Sequence, residues 1–252
     1  MLVINADDWG ASETTTDTIR ECLDSKVVDT VSAMVFMSDS ERAADIALDN
    51  GIETALHINF TTPFDGNVES HKLVDSQNRI VKYLGSSKAA RFIYNPFLKN
   101  GFEHVFKAQC EKYLRLYKVL PARMDGHNHM HLCANMLLCD IVPRDIRFRR
   151  NNSFVRGEKN FLNITYRAFI DRLLQRRFMC TDYFFHIQQI SRKENPARFQ
   201  ALRKLIMLAQ TKTIELLAHP HQNFDYNYLM SVEFMTAIAQ VPRGNFDTVV
   251  RL

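Results

Sequence analysis

The chain has 252 residues, of which 46% are hydrophobic and 24% charged, with a formal net charge of +4. These proportions belong to an ordinary globular protein and exclude a disordered, collagen-like or coiled-coil chain. The basic excess is too small to point to nucleic acid. No apolar run approaches the ~18 residues a membrane helix needs. The opening Met1-Leu2-Val3-Ile4-Asn5 reaches Asp7-Asp8 without the basic head and long apolar core of an export signal, so a cytoplasmic protein is expected. Five cysteines without a C-x-x-C pair, in a chain of this length, read as reduced and mostly buried thiols.

Taken in order, short apolar runs each end in polar residues. Leu2 to Ala6 runs into Asp7-Asp8, Val31 to Val35 into Met37-Ser38, and Thr54 to Ile58 into Asn59-Phe60-Thr61. Ala122 to Asp125 leads into a histidine cluster, and Ile214 to Ala218 ends at His219-Pro220. Helical spacing lies between them. It covers Thr15 to Lys26, Glu41 to Leu48, Phe102 to Tyr117 (with Phe106, Cys110 and Tyr113 on one stripe) and Pro196 to Gln210. Strand, polar turn and helix in repetition predict βα units around a largely parallel sheet. The stretch 63–100 fits this alternation poorly and is expected to be an insertion or lid. No linker divides the chain, and α/β barrels of this length are commonly single domains, so one domain over 1–252 is expected.

Ligands of such folds bind at the carboxyl ends of the strands. Those ends carry Asp7, Asp8, His57, Asp125, His127, His129, His131 and His219. Carboxylates and imidazoles are the donors a catalytic divalent metal needs. An isolated Asp-Asp is usually a turn or a helix cap, and a lone histidine is usually structural. Three histidines at alternate positions from 127 to 131 are harder to dismiss. In a strand they would project to one side as a comb of metal ligands.

These blocks together are recognisable. Ile4-Asn5-Ala6-Asp7-Asp8-Trp9-Gly10, Leu56-His57-Ile58-Asn59-Phe60-Thr61, Met124-Asp125-Gly126-His127-Asn128-His129-Met130-His131 and His219-Pro220 resemble the YdjC-like family in order and approximate spacing. That family includes chitooligosaccharide deacetylases and is related to NodB-type polysaccharide deacetylases. Asp29 to Met34, Gln109 and Thr181-Asp182-Tyr183-Phe184 add secondary matches. The resemblance implies a distorted or incomplete (β/α) barrel with a divalent metal, Mg²⁺ first and Zn²⁺ second, at the carboxyl-end mouth. It implies Asp8, His57 and His127 as metal ligands, Asp7 as base and His219 as acid. Asp125, His129, His131, Asp182 and His221 fall to substrate contact or support of the ligands. Trp9 stands where phenylalanine is usual, and Ala218 and His221 flank His219-Pro220 where cysteine and glycine are usual.

The implied activity is removal of acetyl from N-acetylated sugars or oligosaccharides, with a homodimer as the default state. Another amide, ester or phosphoester hydrolase is the alternative within the same chemistry, and a non-catalytic sugar-binding relative the alternative outside it. The arginine-rich stretch 144–156 reads as a solvated loop. Its sharper reading has Arg147 or Arg150 holding Asp7 or an anionic substrate group through paired hydrogen bonds.

Overall fold

The computed structural model describes residues 1–144, 146–154 and 161–246, with backbone alone at 161 and 162. Arg156, in the arginine-rich stretch, lies outside the described residues. The elements are β1 (Leu2–Trp9), α1 (Glu13–Asp24), β2 (Thr30–Ala33), α2 (Ser40–Asn50), β3 (Thr54–Ile58), α3 (His71–Gly85), α4 (Lys99–Tyr117), β4 (Arg123–Gly126), α5 (Ala134–Leu138), β5 (Arg147–Phe148), α6 (Phe161–Arg177), β6 (Tyr183–His186), α7 (Gln188–Ser191), α8 (Ala197–Ala209), β7 (Ile214–Ala218), α9 (Asn223–Leu229) and α10 (Val232–Ile238). The strand order is β5-β4-β3-β2-β1-β7-β6. Pairs β1–β7, β3–β4 and β6–β7 are parallel. The largely parallel sheet that the alternation predicts is present, and the fold is the distorted (β/α) barrel that the resemblance implies. Parallel strands covered on both faces need continuous apolar runs; every residue of β1 and β7 is buried.

The described chain forms two compact units, each built from separate segments. The first comprises Met1–Asp7, Asp17–Val31 and Asp145–Leu252. In it β7 lies beside β1, with Leu2 opposite Ile214 and Ala6 opposite Ala218. On its other side β6 sets His186 opposite Leu217. Helix α8 buries Leu202, Leu205 and Ala209, the spacing of one helical face. Strand β5 is only two residues long, too short for alternation to reveal it. It meets the segment before β6 through a bridge between Arg147 and Met179, with the Phe148 amide donating to the Met179 carbonyl at 2.8 Å.

The second unit comprises Asp8–Thr16 and Ser32–Arg144. Its β3–β4 register sets Leu56 opposite Met124, His57 opposite Asp125 and Ile58 opposite Gly126. The stretch 63–100 is not devoid of regular structure. It contains the fifteen-residue α3, packed on α4, with Ser70 accepting from the Leu73 amide at its start and Leu73, Gln77 and Ile80 buried. One of those inward positions is a glutamine, which hides the stripe in the sequence; its Nε2 donates to the Thr62 carbonyl at 2.7 Å. Trp9 is fully buried, and its indole N–H donates to the Ala43 carbonyl at 3.0 Å, a bond that phenylalanine could not make.

Candidate functional site

In the second unit, β1 leaves regular strand geometry at Asp8, whose φ is +73°. Aspartate is among the few side chains that tolerate this left-handed region. The change of direction breaks the strict alternation of side chains that would otherwise govern Asp8. His57 sits one residue before the end of β3. Its register partner Asp125 brings a carboxylate oxygen to 2.6 Å from His57 Nδ1. The other Asp125 oxygen accepts from Ser32 Oγ at 2.6 Å and pairs with Arg123 at 2.9 Å. A carboxylate that already faces a guanidinium and a hydroxyl acts as the acceptor, which places the neutral His57 proton on Nδ1 and leaves a lone pair on Nε2.

That lone pair lies 3.3 Å from Asp8 Oδ1, and His127 Nδ1 lies 2.8 Å from the same oxygen. Burial pushes the Asp8 carboxyl up, but the facing His127 and His57 imidazoles outweigh it and hold the group well below the usual carboxylate range. One donor atom each from Asp8, His57 and His127 fall within 4.8 Å of one another. Donor atoms this close could share one cation. Two imidazoles and one carboxylate, with an oriented proton behind one imidazole, fit a divalent metal that keeps open positions for water.

The other histidines of the cluster do not form a comb. Strand β4 ends at Gly126, and His127–Leu132 is a kinked 3₁₀ turn with Asn128 and His129 at φ +53° and +58°. The turn folds back so closely that a Cβ on Gly126 would sit 2.9 Å from the His131 backbone nitrogen. His131 is consequently buried, whereas His129 is half-buried with its ring 6.2 Å from that of His131. Only His127 of the three joins Asp8 and His57.

In the first unit, Asp7 is buried and held by a fork. Arg149 donates to its two carboxylate oxygens at 2.7 and 2.8 Å, and Asn5 Nδ2 donates at 2.8 Å. Arg149, 1% exposed, also donates from Nε to Glu215 at 2.7 Å. The paired hydrogen bonds expected of Arg147 or Arg150 are thus made by Arg149. Arg147 is half-buried in β5, and Arg150 pairs with Asp171 at 2.6 Å. Asp182 is exposed and accepts from the Thr213 amide at 2.8 Å.

His219 follows β7, and its amide donates to Asp225 Oδ2 at 3.0 Å. Its Nδ1 lies 3.2 Å from Nε2 of His186, the last residue of β6, and the exposed His221 stands edge-on to it at 5.6 Å. Arg149, Glu215, His186 and Asp225 were not singled out from the sequence. Two carried a signal: a glutamate inside the apolar run Ile214 to Ala218, and a histidine closing the aromatic run Tyr183 to Phe185. All five cysteines are free, and burial pushes the thiols of Cys22, Cys110 and Cys180 up to about 12, which leaves no ready nucleophile among these three.

Burial and the neighbouring His219 push His186 down to about 4. An unfolded histidine titrates near ~6.5, so between these values the unfolded chain binds the proton and the folded one does not. Stability should therefore rise with pH across this window and be fully present above it. Melting temperatures measured from pH 4.5 to 7 should show this rise, and His186→Gln should flatten it. An equally steep rise in the variant would contradict the assignment.

Among the described residues no helix is long and apolar enough to cross a membrane. A family model described as YdjC-like protein matches residues 1–240. A carbohydrate deacetylase of Clostridium beijerinckii is 28% identical over 133 residues, 52% of this chain and 50% of that protein. A carbohydrate deacetylase of Danio rerio is 28% identical over 138 residues, 54% of this chain and 43% of that protein. The chain thus spans about half the length of the curated relatives it matches. A solved structure from Enterococcus faecalis, of a protein named for cellobiose-phosphate cleavage, is similar with a TM-score of 0.68 over 98% of this chain and 97% of that one, at 17% identity. That last likeness is one of fold.

Proposed function

The chain belongs to the YdjC-like family, and on that premise we propose that it is a metal-dependent carbohydrate deacetylase, hydrolysing the acetamide C–N bond of N-acetylated sugars or oligosaccharides. The observation that carries this reading is the Asp125–His57 pair, which leaves His57 Nε2 as a donor atom beside Asp8 and His127. In this reading those three residues hold one divalent ion. Magnesium is carried over from the resemblance, whereas two imidazoles and a carboxylate suit zinc well on ligand softness. The bound ion would polarise the acetyl carbonyl and lower the pKa of its water.

Asp7 takes the proton from the attacking water. Arg149 sets its positive charge against that carboxylate and fixes its plane through the paired bonds. Glu215 holds Arg149 in turn. His219 supplies the proton to the departing nitrogen, since an amide nitrogen leaves poorly without one. Acetate and the free amino sugar result. His129 and His221, both with solvent-accessible surface, are assigned to sugar hydroxyls, and Arg147 and Asp182 to the surrounding surface. His131 and Asp125 act from behind the ligands. The two units are read as one functional domain, because each is assembled from segments separated by the other. A cytoplasmic homodimer completes the proposal.

The test compares an amide substrate with an activated ester whose leaving group needs no proton. His219→Ala should nearly abolish amide cleavage and spare much of the ester cleavage. His221→Ala should weaken binding more than the chemical step. The reverse pattern would move the acid to His221.

A further inference from the structure

The proton on His219 can be located from the groups that face it. Gln188, at the start of α7, directs its backbone N–H at His186 Nδ1 from 3.1 Å. An amide N–H can only donate, so His186 Nδ1 carries a lone pair and the neutral ring has its proton on Nε2. That proton points at His219 Nδ1, 3.2 Å away, with the rings stacked at a centroid separation of 5.1 Å. His219 Nδ1 must then accept, and the proton of the neutral His219 lies on Nε2.

The same reasoning argues against a cation among His186, His219 and Asp225, although their donor atoms lie within 4.8 Å. A histidine that binds a metal through Nε2 carries its proton on Nδ1, which is where the Gln188 N–H stands.

We infer that His186 is a positioning residue, which fixes neutral His219 as the Nε2–H tautomer and holds its ring so that Nε2–H is the group left to hydrogen-bond substrate. The inference rests on the proposed role of His219 as proton donor for its consequence in catalysis, but not for the tautomer itself. The charged groups around His186 are Asp225 and Asp7, which favour its protonated form, and Arg149, which opposes it. Burial and His219 prevail, so His186 stays neutral through the ordinary pH range and continues to donate. Asp225 completes the arrangement by fixing the His219 backbone amide.

The experiment is long-range ¹⁵N–¹H NMR of the full chain labelled at histidine, near neutral pH and without substrate, with the His219 signals assigned by their loss in His219→Ala. His219 should show a protonated Nε2 and an unprotonated Nδ1. His186→Ala should bring in the Nδ1–H form. His186→Gln, whose amide can donate in place of the ring, should restore the Nε2–H pattern. In amide cleavage His186→Ala should lower kcat about tenfold with KM little changed, a part of the ~10²- to 10⁴-fold that an acid–base group supplies, and His186→Gln should recover much of it. A His219 proton on Nδ1 in the unmodified protein, or a tautomer that ignores His186→Ala, would overturn the inference. If the tautomer responds as stated while no acetylated sugar is cleaved, the positioning role stands and the deacetylase reading falls.

Discussion

Alanine at either His57 or His127 is expected to strip the divalent ion from the protein. Each change deletes one of three side-chain donors, and even loss of a supporting group such as Asp125 costs ~10- to 100-fold in metal affinity. Elemental analysis of the unmodified chain after metal loading should give about one ion per chain, the content of a mononuclear catalytic site. Both alanine variants should fall far below that at the same free metal concentration. Asp125→Ala should lie between, because it leaves His57 in place but frees its tautomer. Full metal content in both His57→Ala and His127→Ala would dismiss the donor set.

The second large effect separates two adjacent carboxylates. Asp7→Asn should leave the metal bound and lower turnover by ~10²- to 10⁴-fold, the usual contribution of a general base. Arg149 would lose one partner of its fork, but Glu215 still faces its Nε at 2.7 Å, so the buried guanidinium keeps a counter-charge. Asp8→Asn should lose metal and turnover together. Metal analysis and single-turnover acetate release on both variants check this. An Asp7→Asn protein without metal beside an Asp8→Asn protein with it would reverse the two roles.

Much of this was legible because parallel strands announce themselves. Strands β1, β3 and β7 are apolar runs ending in Asp7-Asp8, His57 and His219, and the rule that strand ends bind ligands picked out those residues directly. What stayed hidden depends on close approach and on long-range pairing. The spacing of His127, His129 and His131 suggested a strand, but the Gly126 contact and two left-handed residues turn the chain there. The sequence offers Arg147, Arg149 and Arg150 within four positions, and nothing local says which is turned inward. The two-residue β5 shows no alternation that could decide it. Glu215 was the better clue, since a charge within a buried apolar strand demands a buried partner. His186 was missed because its meaning lies in β6 pairing with β7, which brings it beside His219.

In the proposed function this chain removes acetyl groups from sugars. The most direct measurement of that function is acetate release from N-acetylglucosamine oligomers of increasing length by the metal-loaded protein, with free amino groups counted in parallel. Acetate and amine should appear in equal amounts, with both abolished by Asp8→Asn and by removal of the metal. Phosphate release from phosphorylated sugars without any acetate from the oligomers would contradict the proposed function.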